Sequence, residues 1–186
     1  MIRERSFEMK DILIIVDMQT DFIDGSLGSA EAVDIIPNAV KRIREWQGDI
    51  IVTLDTHNSD YLETAEGKKL PVPHCIKGTK GWALHPLIED SLSGKCFETV
   101  EKPTFGSTEL PDRVRSLASG EDFSLTLIGL CTDICVVSNA LLLKAAFPEK
   151  RIAVDASCCA GVSPQTHEAA LRTMQSCQID ILNYDL

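Results

Sequence analysis

Five consecutive apolar residues, Ile12-Leu-Ile-Ile-Val16, stand near the start of this 186-residue chain, and comparable runs follow at Ile50-Ile-Val-Thr-Leu54, Leu125-Thr-Leu-Ile128 and Ile152-Ala-Val154. A strand with one wet face alternates apolar and polar residues. A run without alternation has to be covered on both faces. Weaker strand candidates lie at Phe97-Glu-Thr-Val100 and Ile179-Asp-Ile-Leu182. Between the runs, residues 37–47 carry Ala39, Val40, Ile43 and Trp46 at helical spacing, with Gly48 as a stop signal, and residues 111–118, 133–146 and 164–177 read as further helices. Parallel strands need crossovers, and right-handed crossovers cover both faces of a sheet. The expected fold class is therefore α/β: a three-layer α/β/α sandwich with a mainly parallel sheet, forming one domain over residues 1–186. Residues 55–84, rich in Gly, Pro, Lys and Thr, show no period, and a loop of that length in a compact domain usually carries function.

The formal net charge of −10 argues against nucleic acid or an anionic membrane surface as partner. Seven cysteines form no regular framework, and the opening Met1-Ile-Arg-Glu-Arg is not followed by an apolar signal stretch. A reduced, cytoplasmic protein is expected. The longest apolar stretches, such as residues 140–147, are far shorter than the ~20 residues that span a bilayer.

Ligands of open α/β sheets bind beyond the carboxyl ends of the strands. Asp17 follows the first strand, Asp55 the second, Lys102 the weak third, and Cys135 lies past the fourth, where Gly129-Leu-Cys-Thr-Asp-Ile-Cys turns into a helix. A cysteine near a helix N-terminus with a lysine beside it is expected to favour thiolate over thiol. Asp17 could take the thiol proton and return it to a leaving amine, which completes an acyl-transfer set. Against this stands the plain alternative that a free cysteine at a strand end is a small buried hydrophobe, and an Asp there a turn or helix cap.

Asp55 and His57 are two residues apart in an extended segment, so both can point one way, and His74 lies in the same long loop. Two histidines and a carboxylate suit a divalent metal, with zinc first and manganese or iron as alternatives, and Glu66 is a candidate fourth ligand. Surface histidines beside an acidic residue are the alternative. Cys131 and Cys135 have the wrong spacing for a redox pair, and Cys158-Cys159 are expected to pack as small core residues after their strand. His85 is expected on the surface near a helix start, and His167 is assigned only packing or capping.

Together these segments resemble the isochorismatase-like cysteine hydrolases, most closely the nicotinamidase branch. The resemblance rests on Val16-Asp-Met-Gln-Thr-Asp-Phe22, Leu54-Asp-Thr-His57, Pro73-His-Cys-Ile-Lys-Gly-Thr79, Lys102-Pro-Thr-Phe-Gly-Ser107, Gly129-Leu-Cys-Thr-Asp-Ile-Cys-Val136, and residues 155–170. It implies that Asp17, Lys102 and Cys135 form a catalytic triad and that Asp55, His57 and His74 bind the metal. It also implies a cis peptide at Leu130–Cys131, an oxyanion hole from the backbone N–H groups of Cys131 and Cys135, and Phe22 in the substrate pocket. The implied activity is hydrolysis of a small amide through a thioester, by a protein that assembles as a homo-oligomer. The chain departs from nicotinamidases in reading Lys69-Leu-Pro-Val-Pro73 where they commonly carry an aromatic residue, and Thr56 where many have Trp. Trp82 is the candidate to supply the missing ring. Rival readings are an isochorismate-type hydrolase or a ureido or carbamoyl-amide hydrolase of the same fold. A phosphoacceptor receiver domain is a different class, imitated by Asp17, Asp55 and Lys102-Pro103; it would need neither Cys135 nor the two histidines.

Overall fold

The computed structural model describes residues 9–184, so the opening Met1-Ile-Arg-Glu-Arg read for targeting lies outside the described residues. Six strands form one sheet: β1 (Lys10–Val16), β2 (Asp49–Asp55), β3 (Glu98–Lys102), β4 (Phe123–Leu130), β5 (Arg151–Ala160) and β6 (Asp180–Leu182). Their order is β3-β2-β1-β4-β5-β6, and every adjacent pair is parallel. The chain winds outward from β1 to one edge, then returns to β4 and winds to the other. The direction of winding therefore reverses between β1 and β4, which opens a crevice at their carboxyl ends.

Successive residues of β1 face opposite layers. Ile12, Ile14 and Val16 pack with Leu110 and Val114 of α5 (Leu110–Ala118), Ala140 and Leu143 of α6 (Val137–Ala146), and Leu171 and Met174 of α7 (Pro164–Ser176). Leu13 and Ile15 pack the other way, with Phe22 and Ile23 of α1 (Thr20–Ile23), Ala32 of α2 (Ala30–Asp34), Ile36, Ala39 and Ile43 of α3 (Ile36–Glu45), and Ile88 of α4 (Pro86–Ser91). All five of these β1 side chains are fully buried, each contributing roughly 1.5–3 kcal/mol. The uninterrupted apolar run is thus the signature of a strand covered on both faces, and the three-layer architecture is observed. No helix among the described residues is long and apolar enough to cross a membrane.

Three details depart from expectation. The helix expected over residues 133–146 begins with a π turn at Thr132–Val136 and becomes α-helical only at Val137. β5 runs on to Ala160, so Cys158 and Cys159 lie within the strand, one facing each layer, rather than after it. The short helices α1, α2 and α4 were not anticipated, being too brief to show a period. The long segment from residue 55 to 84 holds only a 3₁₀ turn at Tyr61–Glu63.

Two backbone features shape the crevice. Asp17 turns the chain off β1 at φ 48°, a left-handed conformation uncommon for a residue with a side chain. Gly129 sits at φ 122°, and a Cβ there would stand 2.0 Å from the Val16 carbonyl oxygen. Only glycine lets β4 approach β1 this closely just before the turn that carries Cys135. The Leu130–Cys131 peptide that follows is cis, as the resemblance implies.

Candidate active site

Four ionisable groups converge on the carboxyl edge of the central strands: Lys102 from β3, Asp55 from β2, Asp17 after β1 and Cys135 after β4. Lys102 and Asp55 are register partners, and the long lysine side chain extends past β2 toward the centre. Its Nζ lies 2.6 Å from Asp17 Oδ2, 3.3 Å from Asp55 Oδ1 and 3.5 Å from Cys135 Sγ, and donates to the Thr104 carbonyl at 3.0 Å. Asp17 Oδ1 accepts from Thr53 Oγ1 at 2.7 Å. Asp17 Oδ2, although ion-paired, has no donor aligned on it as a hydrogen bond among the described residues. That oxygen therefore keeps a lone pair open to the thiol proton.

Burial sets the protonation states. It pushes the Asp17 carboxyl up from 3.8, with Lys102 and Thr53 pulling the other way. Burial also opposes a charge on Lys102, but Asp17, Cys135 and Asp55 outweigh it and hold the ammonium well above its ordinary value. For Cys135, burial and then the Asp17 charge raise the thiol well above 9.0, against the pull of Lys102. Burial therefore opposes the preference for thiolate expected from the lysine and the helix N-terminus. Cys135 lies inside the π turn and is 5% exposed, so loss of water outweighs the nearby positive charge. Burial thus works against charge on both Asp17 and Cys135, and the Lys102 ammonium works for it.

The second oxygen of Asp55 faces the histidines. Oδ2 lies 3.0 Å from His57 Nε2 and 3.6 Å from His74 Nε2, and one ligand atom from each of the three residues falls within 4.8 Å of the others. Burial disfavours the Asp55 charge, but the close approach of His57 and His74 and the Lys102 charge hold its carboxyl below the usual range. His74 Nδ1 stands 2.8 Å from the Val72 carbonyl, which assigns the proton to Nδ1 and leaves a lone pair on Nε2. His57 Nε2 is buried and has no hydrogen-bond partner among the described residues. An orphaned imidazole nitrogen converging with a second imidazole and a carboxylate fits a divalent ion. Glu66 Oε1 lies 3.6 Å from His74 Nε2 and 3.7 Å from His57 Nε2, bordering this trio without joining its compact set.

A cavity of about 470 Å³ opens above Cys135, with Asp55, Glu66 and His74 on one side and Phe22, Leu27, Leu70, Phe105, Ile134 and Val162 on the others. Phe22 also stacks against His74, ring centroids 5.4 Å apart. Cys131 lines the cavity beside Cys135, its thiol pushed up to about 12 by burial and by the Asp133 and Asp17 charges. Trp82 does not line it. Its indole N–H donates to Thr56 Oγ1 at 2.9 Å. A larger hollow of about 620 Å³ lies at the amino edge of the sheet among Lys10, Asp11, Trp46, Lys95 and Glu121, remote from these groups.

Several supporting residues were not anticipated. Gln19, fully buried, hydrogen-bonds both backbone groups of Asp55. Asn139 of α6 donates to the Cys135 carbonyl at 2.8 Å and accepts from the Ser107 amide at 2.9 Å, tying the nucleophile turn to the loop after Lys102. Tyr61 packs its ring 4.7 Å from His57 and 4.9 Å from His74. His167, assigned only packing or capping, stands 2.8 Å from Thr132 Oγ1 in the π turn, whereas His85 caps α4, at a helix start as expected. Gln19 sits inside a motif already singled out. Asn139 is a polar residue on the apolar face of α6, which was the one signal that could have flagged it.

The isochorismatase domain model matches residues 11–184. The uncharacterised isochorismatase family protein PncA of Bacillus subtilis is 32% identical over 146 residues, covering 72% of this chain and 78% of the relative. The nicotinamidase/pyrazinamidase of Mycobacterium tuberculosis is 27% identical over 191 residues, covering 91% of this chain and 97% of that protein. The crystal structure of a Bacillus subtilis nicotinamidase/pyrazinamidase, PncA, superposes with a TM-score of 0.80 at 28% identity, covering 94% of this chain and all of the other. With nearly its full length matched, the chain belongs to the isochorismatase family.

Proposed function

We propose that this protein is a cysteine-dependent amidohydrolase that cleaves a small carboxamide, nicotinamide or a close relative, to the carboxylic acid and ammonia. The observation that carries this reading is the Lys102 ammonium touching both Asp17 and Cys135, with Cys135 itself lining a cavity. Asp17 takes the Cys135 proton as the sulfur attacks the amide carbon. Lys102, already charged, balances the negative charge gained by the sulfur. The backbone N–H groups of Cys131 and Cys135 receive the oxyanion. Asp17 returns the proton to the nitrogen, the C–N bond breaks, and ammonia leaves a thioester on Cys135. Water, deprotonated by Asp17, then hydrolyses the thioester, releasing the acid and restoring the thiol.

Asp55, His57 and His74, with Glu66 alongside, would hold a divalent ion, and zinc suits two imidazoles and a carboxylate. Such an ion would act as a Lewis acid beside the reacting carbonyl. The amidase activities named for the Mycobacterium tuberculosis and Bacillus subtilis relatives support nicotinamide as the amide. Isochorismate and ureido acids carry carboxylates, and no lysine or arginine lines the cavity among the described residues. That disfavours both rivals. We further read the whole chain as one catalytic domain, a reading supported by the family match over residues 11–184.

The test is ammonia release from nicotinamide by metal-loaded protein, with Cys135→Ala as control. A kcat/KM of about 10⁴ M⁻¹s⁻¹ or more, absent in the variant, is the expected result. Unchanged turnover by Cys135→Ala would sink the nucleophile assignment.

A further inference from the structure

The cavity is polar at one end only. Asp55, Glu66 and His74 gather beside Cys135, while Phe22, Leu27, Ile134, Leu70, Phe105 and Val162 form the walls. Three of those wall residues are left open to solvent: Leu70 is 38% exposed, Phe105 43% and Val162 63%. An amide group on one six-membered ring satisfies the polar end but leaves much of a cavity of about 470 Å³ unfilled, and pockets of this size commonly take larger ligands. Apolar side chains that line a cavity and remain wet gain stability when a ligand covers them.

Resting on the amidohydrolase reading, we infer that the substrate is a neutral carboxamide with an apolar body larger than a single ring, such as a fused bicycle, reaching from Cys135 to Leu70 and Phe105. An anionic group on that body finds no partner, since no lysine or arginine lines the cavity among the described residues. The body lies away from the reacting carbonyl. Its contacts are therefore equal in ground and transition states, and the preference appears in KM rather than kcat.

The experiment compares nicotinamide with quinoline-3-carboxamide, which presents the same pyridine amide with a fused second ring. The expected kcat/KM is at least tenfold higher for the bicycle, about 1.4 kcal/mol, carried by a lower KM. Leu70→Trp, a change at a half-open position, fills the cavity from its rim and is expected to reverse the preference. Equal or better turnover of nicotinamide by the unaltered protein overturns the inference while leaving the hydrolase reading standing. Cys135-dependent turnover of neither amide overturns both.

Discussion

Gln19 grips Asp55 by its backbone: the glutamine side-chain carbonyl accepts from the Asp55 amide at 2.8 Å, and its amide nitrogen donates to the Asp55 carbonyl at 2.9 Å. The same nitrogen reaches the Trp82 carbonyl at 2.8 Å. The side chain thus fixes the end of β2 to the long loop. Gln19→Ala leaves these groups unpaired, at roughly 1–3 kcal/mol for each that stays buried. It is also expected to weaken metal binding by about 10–100-fold, as losses of supporting contacts around ligands do. Urea unfolding and metal titration measure the two effects. Lost stability with unchanged metal affinity would show that the grip does not position Asp55 for a metal.

The acidic limb of kcat/KM should report Asp17. Its carboxyl is raised above 3.8 by burial, and only the ionised form accepts the thiol proton, so activity is expected to fall at a pH above the ordinary aspartate range. The sign for stability is opposite. A carboxyl with a raised folded pKa favours the folded state when protonated, so acid removes activity without unfolding the protein through this group. A pH-rate profile alongside circular dichroism separates the two. An acidic limb at or below 3.8 would contradict the assignment.

Lys102→Met keeps the length of the side chain but removes the cation shared by Asp17 and Asp55. Leaving buried carboxylates without their partner costs about 3–5 kcal/mol. Asp17 also loses the charge that holds its pKa down, so the acidic limb should move further up. Thermal melts and the pH-rate profile of the variant test this, and wild-type turnover would exclude an electrostatic role for Lys102.

Dialysis against a chelator is expected to abolish turnover, and zinc, manganese or iron(II) to restore it. Saturation at about 100 times Kd adds roughly 2.7 kcal/mol of stability, visible as a fall in Tm on metal removal. His74→Ala, which deletes one converging imidazole, should weaken metal binding while leaving the Asp17–Lys102 pair in place. Full activity in metal-free protein would remove the metal from the reaction.

His167 meets the nucleophile turn through a 2.8 Å contact with Thr132 Oγ1, and burial lowers its pKa below 6.5 against the opposing Asp133 charge. His167→Ala is expected to lower kcat about tenfold with KM little changed, and to alter the rate at which iodoacetamide alkylates Cys135. His167→Asn, which retains a hydrogen-bonding group, should recover part of both. Alkylation at the original rate would limit His167 to packing.

The sheet was legible because β1, β2 and β4 are apolar on both faces, a pattern few other elements share. The last part of β5 was not, because Asp155 and Ser157 look like turn residues. Within the strand, Asp155 accepts from Arg42 and Asn183, remote in sequence, and Ser157 donates its hydroxyl proton to Asp155. The positions of Asp17, Asp55, Lys102 and Cys135 followed from one rule about strand ends. Gln19 and Asn139 did not, since the Gln19 side chain is explained by partners 36 residues away or more, and Asn139 joins the nearby Cys135 carbonyl to Ser107, 32 residues away. The lysine beside Cys135 was legible from spacing, but the burial that opposes its pull on the thiol was not. Trp82 was misplaced for a similar reason: its indole N–H pairs with Thr56, 26 residues earlier.

Asp55 offers one oxygen to Lys102 and the other to the histidines, so the sulfur and the metal site draw on a single carboxylate. With a divalent ion held at the histidines, Asp55 would share its negative charge with that ion and hold Lys102 less strongly, leaving the ammonium more available to Asp17 and Cys135. Thermodynamic coupling of this kind is reciprocal. Whatever factor the ion applies to ionisation of the thiol, ionisation must apply to affinity for the ion. A covalent inhibitor that leaves the sulfur neutral and one that leaves it charged should therefore imprint different metal affinities on the same protein, making chelator resistance a readout of what has happened at Cys135.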